Sequence, residues 1–144
     1  MDETRGTEFK PTHWTLDEDY EISYGPSGIN WESPDGWLSI SNGVWSIKKG
    51  FKWDGCTDVP DFLNKINPDT GKPKAYYASL VHDVGYRYLR LCPGDFPYTK
   101  FKIDKFFLDI GKRDGFVIIG LYFLGVLTLG EIYIRFYDNI VYPQ

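Results

Sequence analysis

The chain is poor in the residues that small domains use as staples. It has 2 cysteines and 2 histidines in 144 residues. Cys56 and Cys92 stand far apart and form no paired-thiol spacing, which does not suit a structural zinc site. Their scarcity favours a reducing compartment, or a particle assembled in one. There is no Lys/Arg run and no Gly-rich phosphate loop, and the net charge is −4. A chain of that charge is not expected to bind nucleic acid. The start, "MDETRGTEFK", lacks the basic and apolar stretches of a classical export signal. Classical secretion is therefore not expected.

Long hydrophobic runs are also scarce. The one candidate, "GFVIIGLYFLGVLTLG" at 115–130, falls short of the roughly 20 residues a spanning helix needs, and Glu131 and Arg135 follow it closely. It reads as a buried helix, and no transmembrane span is expected. A partner-facing or interfacial helix is the minority alternative.

Aromatic side chains, by contrast, are plentiful. With 5 Trp, 11 Tyr and 10 Phe, the chain can build a core without disulfides or a structural metal. Its length suits a single domain. Residues 1–14 read as an extended arm and 15–53 as β-rich. "YEISYG", "GWLSIS" and "VWSIKK" alternate, and Asn42-Gly43 between the last two is a strong hairpin signal. Residues 20–53 are thus expected to form a small antiparallel sheet.

Segment 54–75 reads as a long irregular loop carrying Asp54, Asp58, Asp61 and Asp69. The remainder, 76–140, reads as three helices. The first spans 76–91. The second spans 98–115, with Thr99 as N-cap and Gly115 as terminator. In it Phe101, Leu108 and Phe107 fall at helical spacing, as do Ile103, Phe106 and Ile110. The third spans about 116–138. Strands followed by helices make the class α+β.

Within the first helix, "SLVHDVGYRYL" sets His82 beside Asp83 in an otherwise apolar stretch. On a helix these two lie about 100° apart, so they cannot pair with each other. His82 shares a face with Tyr86, and Asp83 with Tyr86 and Arg87. An orienting carboxylate for His82 must come from another element. Asp104, among Phe101, Ile103, Phe106 and Phe107, is the first candidate, and Asp109 competes. Two antiparallel helices joined by a short loop would bring Asp104 near His82 or Tyr86. The plainer alternatives are a satisfied core histidine, an Asp83–Arg87 pair, a core-filling Tyr86, and an Asp104 facing water with Lys102 and Lys105. Oxygen ligands from a loop and a helix suit Ca²⁺.

"DGCTDVPD" (54–61), "HDVGYRYL" (82–89) and "KIDKFFLDI" (102–110) resemble, in that order, the calcium loop, the His-Asp-x-x-Tyr helix and the second Asp helix of secreted phospholipase A2, the microbial branch especially. The likeness covers roughly 54–110. It implies a phospholipase A2-like helix pair and a Ca²⁺-dependent hydrolase acting on lipid or another ester, with lipid or a host envelope as partner. It further implies that the Asp54 side chain, the Gly55 carbonyl and Asp83 hold Ca²⁺. His82 would take a proton from the attacking water, Asp104 would hold the imidazole in its tautomer, and Tyr86 would hydrogen-bond Asp104. The metal would polarise the ester carbonyl. One departure stands out. The family pairs its loop cysteine with a cysteine three residues before the histidine, and here that residue is Ser79.

"SIKKGFKWDGCTDVP", "SLVHDVGYR", "KIDKFF" and "EIYIRFY" together resemble a family of small phage and bacterial proteins titled as a domain of unknown function. Membership there leaves room for a different role, a non-catalytic virion or assembly component meeting other virion proteins. In that role the same His-Asp scaffold would be a structural polar network.

Overall fold

Both central residues of the Asn42-Gly43 turn adopt positive φ, 55° and 79°. That is the twist a two-residue hairpin needs to follow its right-handed strands. The turn joins β4 (Leu38–Ser41) to β5 (Val44–Ile47), with Ser41 opposite Val44 and Leu38 opposite Ile47. A neighbouring loop clasps it: the Gly43 N–H donates to the Ile29 carbonyl at 2.8 Å, and the Asn42 N–H to Asn30 Oδ1 at 2.8 Å. The computed structural model describes residues 14–53 and 66–116. The chain divides into two compact units, residues 1–59 and 60–144.

In the first unit β2 (Tyr20–Ser23) and β3 (Trp31–Glu32) flank the hairpin, giving an antiparallel sheet in the order β2-β5-β4-β3. The register aligns Ile22, Trp45, Ile40 and Trp31 in one row across all four strands. Leu38, Ile40, Trp45 and Ile47 are all buried, while Ser39, Ser41 and Ser46 alternate with them on the other face. This period-two pattern fixes the register, because a one-residue slip would turn Trp45 outward. A second pair joins β1 (Trp14–Thr15) to β6 (Lys52–Trp53), where the rings of Trp14 and Trp53 meet edge to face at 5.8 Å. The β-rich region therefore begins at Trp14, inside the expected arm. The rest of that arm lies outside the described residues.

In the second unit β7 (Ile66–Asn67) pairs with β8 (Lys72–Pro73). The 54–75 segment, expected to be irregular, thus contains a small hairpin. Its turn is local chemistry: Asn67 Oδ1 accepts the Asp69 N–H at 2.9 Å, and the Asn67 carbonyl accepts the Gly71 N–H at 2.8 Å with Gly71 at φ 75°. Two helices follow, α1 (Tyr76–Leu91) and α2 (Lys100–Arg113). The Thr99 hydroxyl caps α2 by accepting the Lys102 N–H at 3.2 Å. The far end closes as a Schellman turn, with Phe116 N–H on the Gly111 carbonyl at 2.9 Å and Gly115 at φ 81°.

The helices meet where Gly85 approaches Ile103 and His82 approaches Phe107, and Leu80, Val81, Val84, Phe106 and Ile110 on the two helices are also buried. Each such aliphatic or aromatic side chain contributes about 1.5–3 kcal/mol on burial. His82 meets Phe107 while Gly85 meets Ile103, so the helices run antiparallel. Phe101, one of the residues at helical spacing, is exposed. At 100° per residue it lies almost opposite the Ile103–Phe106–Ile110 face. The described fold is α+β. Among the described residues no helix is long and apolar enough to cross a membrane. The expected third helix and most of the 115–130 run lie outside the described residues.

Candidate functional site

Asp104 is fully buried, and a carboxylate out of water needs donors. It has them at both oxygens. His82 Nε2 lies 3.0 Å from Oδ1, the Tyr86 hydroxyl donates to the same Oδ1 at 2.7 Å, and Lys100 Nζ donates to Oδ2 at 2.7 Å. Two relations among these four side chains follow from helical spacing. His82 and Tyr86 are one turn apart on α1, and Lys100 and Asp104 are one turn apart on α2. The third relation, α1 against α2, is tertiary. It depends on Gly85, where an added Cβ would lie 2.7 Å from both Cδ1 and Cγ2 of Ile103.

The imidazole is held by packing as well. Its ring centroid lies 4.1 Å from that of Tyr86 and 5.0 Å from that of Phe107. The His82 side chain keeps 12% of its surface exposed while that of Asp104 keeps none. A buried carboxylate thus holds one ring nitrogen of a histidine that still reaches the surface. With Nε2 donating to the carboxylate, the lone pair of a neutral imidazole falls on Nδ1.

Burial pushes the Asp104 carboxyl up. Hydrogen bonds from His82, Lys100 and Tyr86, with the charge of His82, outweigh it and hold the group below the ordinary carboxylate value. It is therefore an ionised acceptor at neutral pH. Asp109, the competing carboxylate, instead pairs with Lys105 at 3.2 Å, with both side chains partly exposed. Asp104 does not face water with Lys102 and Lys105.

No family model, curated protein or solved structure matches this chain.

Asp83 is half-buried, on the sector of α1 next to His82. Asp54 and Gly55, the other expected metal ligands, lie outside the described residues, as does Cys56. Among the described residues no group of three or more His, Cys, Asp or Glu could hold a metal ion. Asp83 is a hard oxygen donor of the kind Ca²⁺ takes, but alone it makes no site. Ser79, three residues before His82, is buried, and its hydroxyl donates to the Tyr76 carbonyl at 3.2 Å.

The sequence reading missed Lys100. Its signal was the four-residue spacing to Asp104, the favourable separation for a helical ion pair. Lys102 and Lys105, nearer to Asp104 in sequence, drew attention away from it, although they lie on the outer face of α2.

Proposed function

We propose that His82 and Asp104 form the general-base unit of a hydrolase of phospholipase A2 type, acting on an ester such as a lipid. The observation that carries this reading is the contrast in exposure within the pair: a surface-reaching imidazole is oriented by a wholly buried carboxylate. His82 Nδ1 takes a proton from water as the water oxygen attacks the ester carbonyl carbon. Asp104 stabilises the resulting imidazolium through Nε2, and Tyr86 steadies Asp104. The C–O bond then breaks, and the proton passes from Nδ1 to the leaving alkoxide. Ca²⁺ belongs to the proposal through Asp83 among the described residues, and when bound it would stabilise the oxyanion. The helix pair of α1 and α2 is read here as the phospholipase A2-like one, in a protein of the phage and bacterial kind.

The test is hydrolysis of phospholipid micelles with millimolar Ca²⁺. His82→Ala should keep its circular dichroism spectrum and lose activity by about 10²-fold or more. Undiminished hydrolysis by that variant, or none by the unaltered chain, overturns the proposal.

A second reading has its own observation. Asp104 has donors at both oxygens and is sealed from water, as a structural network would be. The chain would then be a non-catalytic virion or assembly component. Thermal unfolding separates the two. A Ca²⁺-dependent rise in midpoint that Asp54→Asn abolishes favours the hydrolase, and no rise favours the scaffold.

A further inference from the structure

We propose that Lys100 is a positioning residue for the His82–Asp104 pair, pinning the carboxylate so that one oxygen alone faces the imidazole. The proposal deepens the general-base reading and rests on it for its catalytic consequence.

The torsion about the last carbon–carbon bond of an aspartate is broad and two-fold, and its two oxygens are chemically equivalent. Donors that approach a single oxygen do little to stop the group from swinging. His82 Nε2 and the Tyr86 hydroxyl both approach Oδ1, at 3.0 Å and 2.7 Å. Lys100 Nζ holds Oδ2, at 2.7 Å. It comes from the same helix, one turn earlier, so it is fixed relative to the Asp104 main chain whatever α1 does. A charge-assisted bond of that length is among the strong ones. The lysine side chain is itself mostly buried, with 17% of its surface exposed. Its ammonium also balances the buried charge, so Asp104 remains an acceptor toward a neutral imidazole.

Without Lys100, Oδ2 loses this donor. The carboxylate can then rotate, both oxygens compete for the phenol and the imidazole, and Nε2 no longer has a fixed acceptor. The neutral ring would distribute its proton between Nε2 and Nδ1, and the fraction carrying the Nδ1 lone pair would fall.

Nuclear magnetic resonance with ¹⁵N-labelled histidine reads this directly. The chain has 2 histidines, so a His13→Gln background leaves His82 as the single imidazole. At alkaline pH, where the imidazole is neutral, the ring tautomer is visible from its nitrogen shifts. With Lys100 present we expect one Nε2–H tautomer with a downfield, slowly exchanging proton. Lys100→Met, which keeps the alkyl packing, should lose that proton signal and show mixed tautomers. Lys100→Gln, shorter and uncharged, should do the same and stands in if the Met variant folds poorly. Lys100→Arg should restore the single tautomer. A purely structural lysine would lower the unfolding midpoint of the Met variant and leave the tautomer alone, which overturns the proposal. Absence of the Nε2–H tautomer in the His13→Gln chain overturns both this proposal and the general-base reading. Loss of the tautomer in the Lys100 variants, with no lipid hydrolysis by the unaltered chain, supports the positioning role and sinks the hydrolase alone.

Discussion

Gly85 and Ile103 touch so closely that the glycine has no room for a methyl group: a Cβ would lie 2.7 Å from both the Cδ1 and the Cγ2 of the isoleucine. This contact sets how near α1 comes to α2, and hence how near His82 comes to Asp104. Gly85→Ala should destabilise the chain by about 1–3 kcal/mol through overpacking. The sign is informative, because alanine is favoured over glycine in a helix by about 1 kcal/mol. Ile103→Ala alone should cost about 2–5 kcal/mol. The double variant should be more stable than the sum of the two losses predicts, by roughly 1 kcal/mol or more. Urea denaturation of the four chains measures this, and strict additivity would show that the contact does not limit the helix separation.

Acid should weaken the second unit through Asp104. Its carboxyl is held below the ordinary value in the folded chain. The folded state therefore binds this proton less readily than the unfolded one. The stabilisation is present above the unfolded value of about 3.9 and is lost as pH falls through the lower folded value. Unfolding midpoints followed from about pH 6 to pH 2 should decline for the unaltered chain. Asp104→Asn should start lower at neutral pH and decline less steeply at the acid end. An identical acid limb in both chains would contradict the role given to this carboxylate.

The Tyr86 hydroxyl is separable from its ring. Tyr86→Phe keeps the ring against His82, at 4.1 Å, and removes the 2.7 Å bond to Asp104. Hydrogen bonds to charged groups are worth about 1.5–3 kcal/mol, so a loss of roughly that size is expected with the fold retained. Thermal unfolding checks it. Hydrolysis, where observed, should fall less than in His82→Ala, since the imidazole keeps its own bond to Oδ1.

At the sheet hairpin, Gly43→Ala meets two obstacles. Its φ is 79°, and a Cβ would lie 2.6 Å from the Pro26 carbonyl oxygen. A backbone oxygen cannot swing aside as a side chain can, so the cost should be about 1–3 kcal/mol. Asn42→Gly, which suits the same positive φ, should change stability by less than about 1 kcal/mol. Denaturant midpoints of the two variants should therefore separate clearly. Equal midpoints would mean that this turn does not constrain β4 and β5.

Local chemistry was legible wherever a few neighbouring residues settle the outcome. Asn-Gly dictates a turn with two positive φ values, Thr99 caps a helix, and Gly115 ends one, because each acts on backbone groups within a few residues. The first helix was readable from 76 to 91 for the same reason. The hairpin at Ile66–Pro73 was missed although its Asn, Asp and Gly were in view, since its strands are too short to show an alternating pattern. Phe101 falls at helical spacing yet is exposed, since spacing alone does not say which side of α2 meets a partner.

Spacing along the chain determined that His82 and Asp83 cannot pair, and that His82 and Tyr86 share one side of a helix. It left Asp104 and Asp109 as rivals. Tertiary structure decided between them, because the depth at which α1 crosses α2 depends on a missing side chain at Gly85 and on the bulk of Ile103. That packing puts Asp104 in the interior beside the imidazole and leaves Asp109 partly exposed beside Lys105. Burial then makes the choice consequential: a carboxylate removed from water must collect donors, and His82, Tyr86 and Lys100 are the donors it meets there.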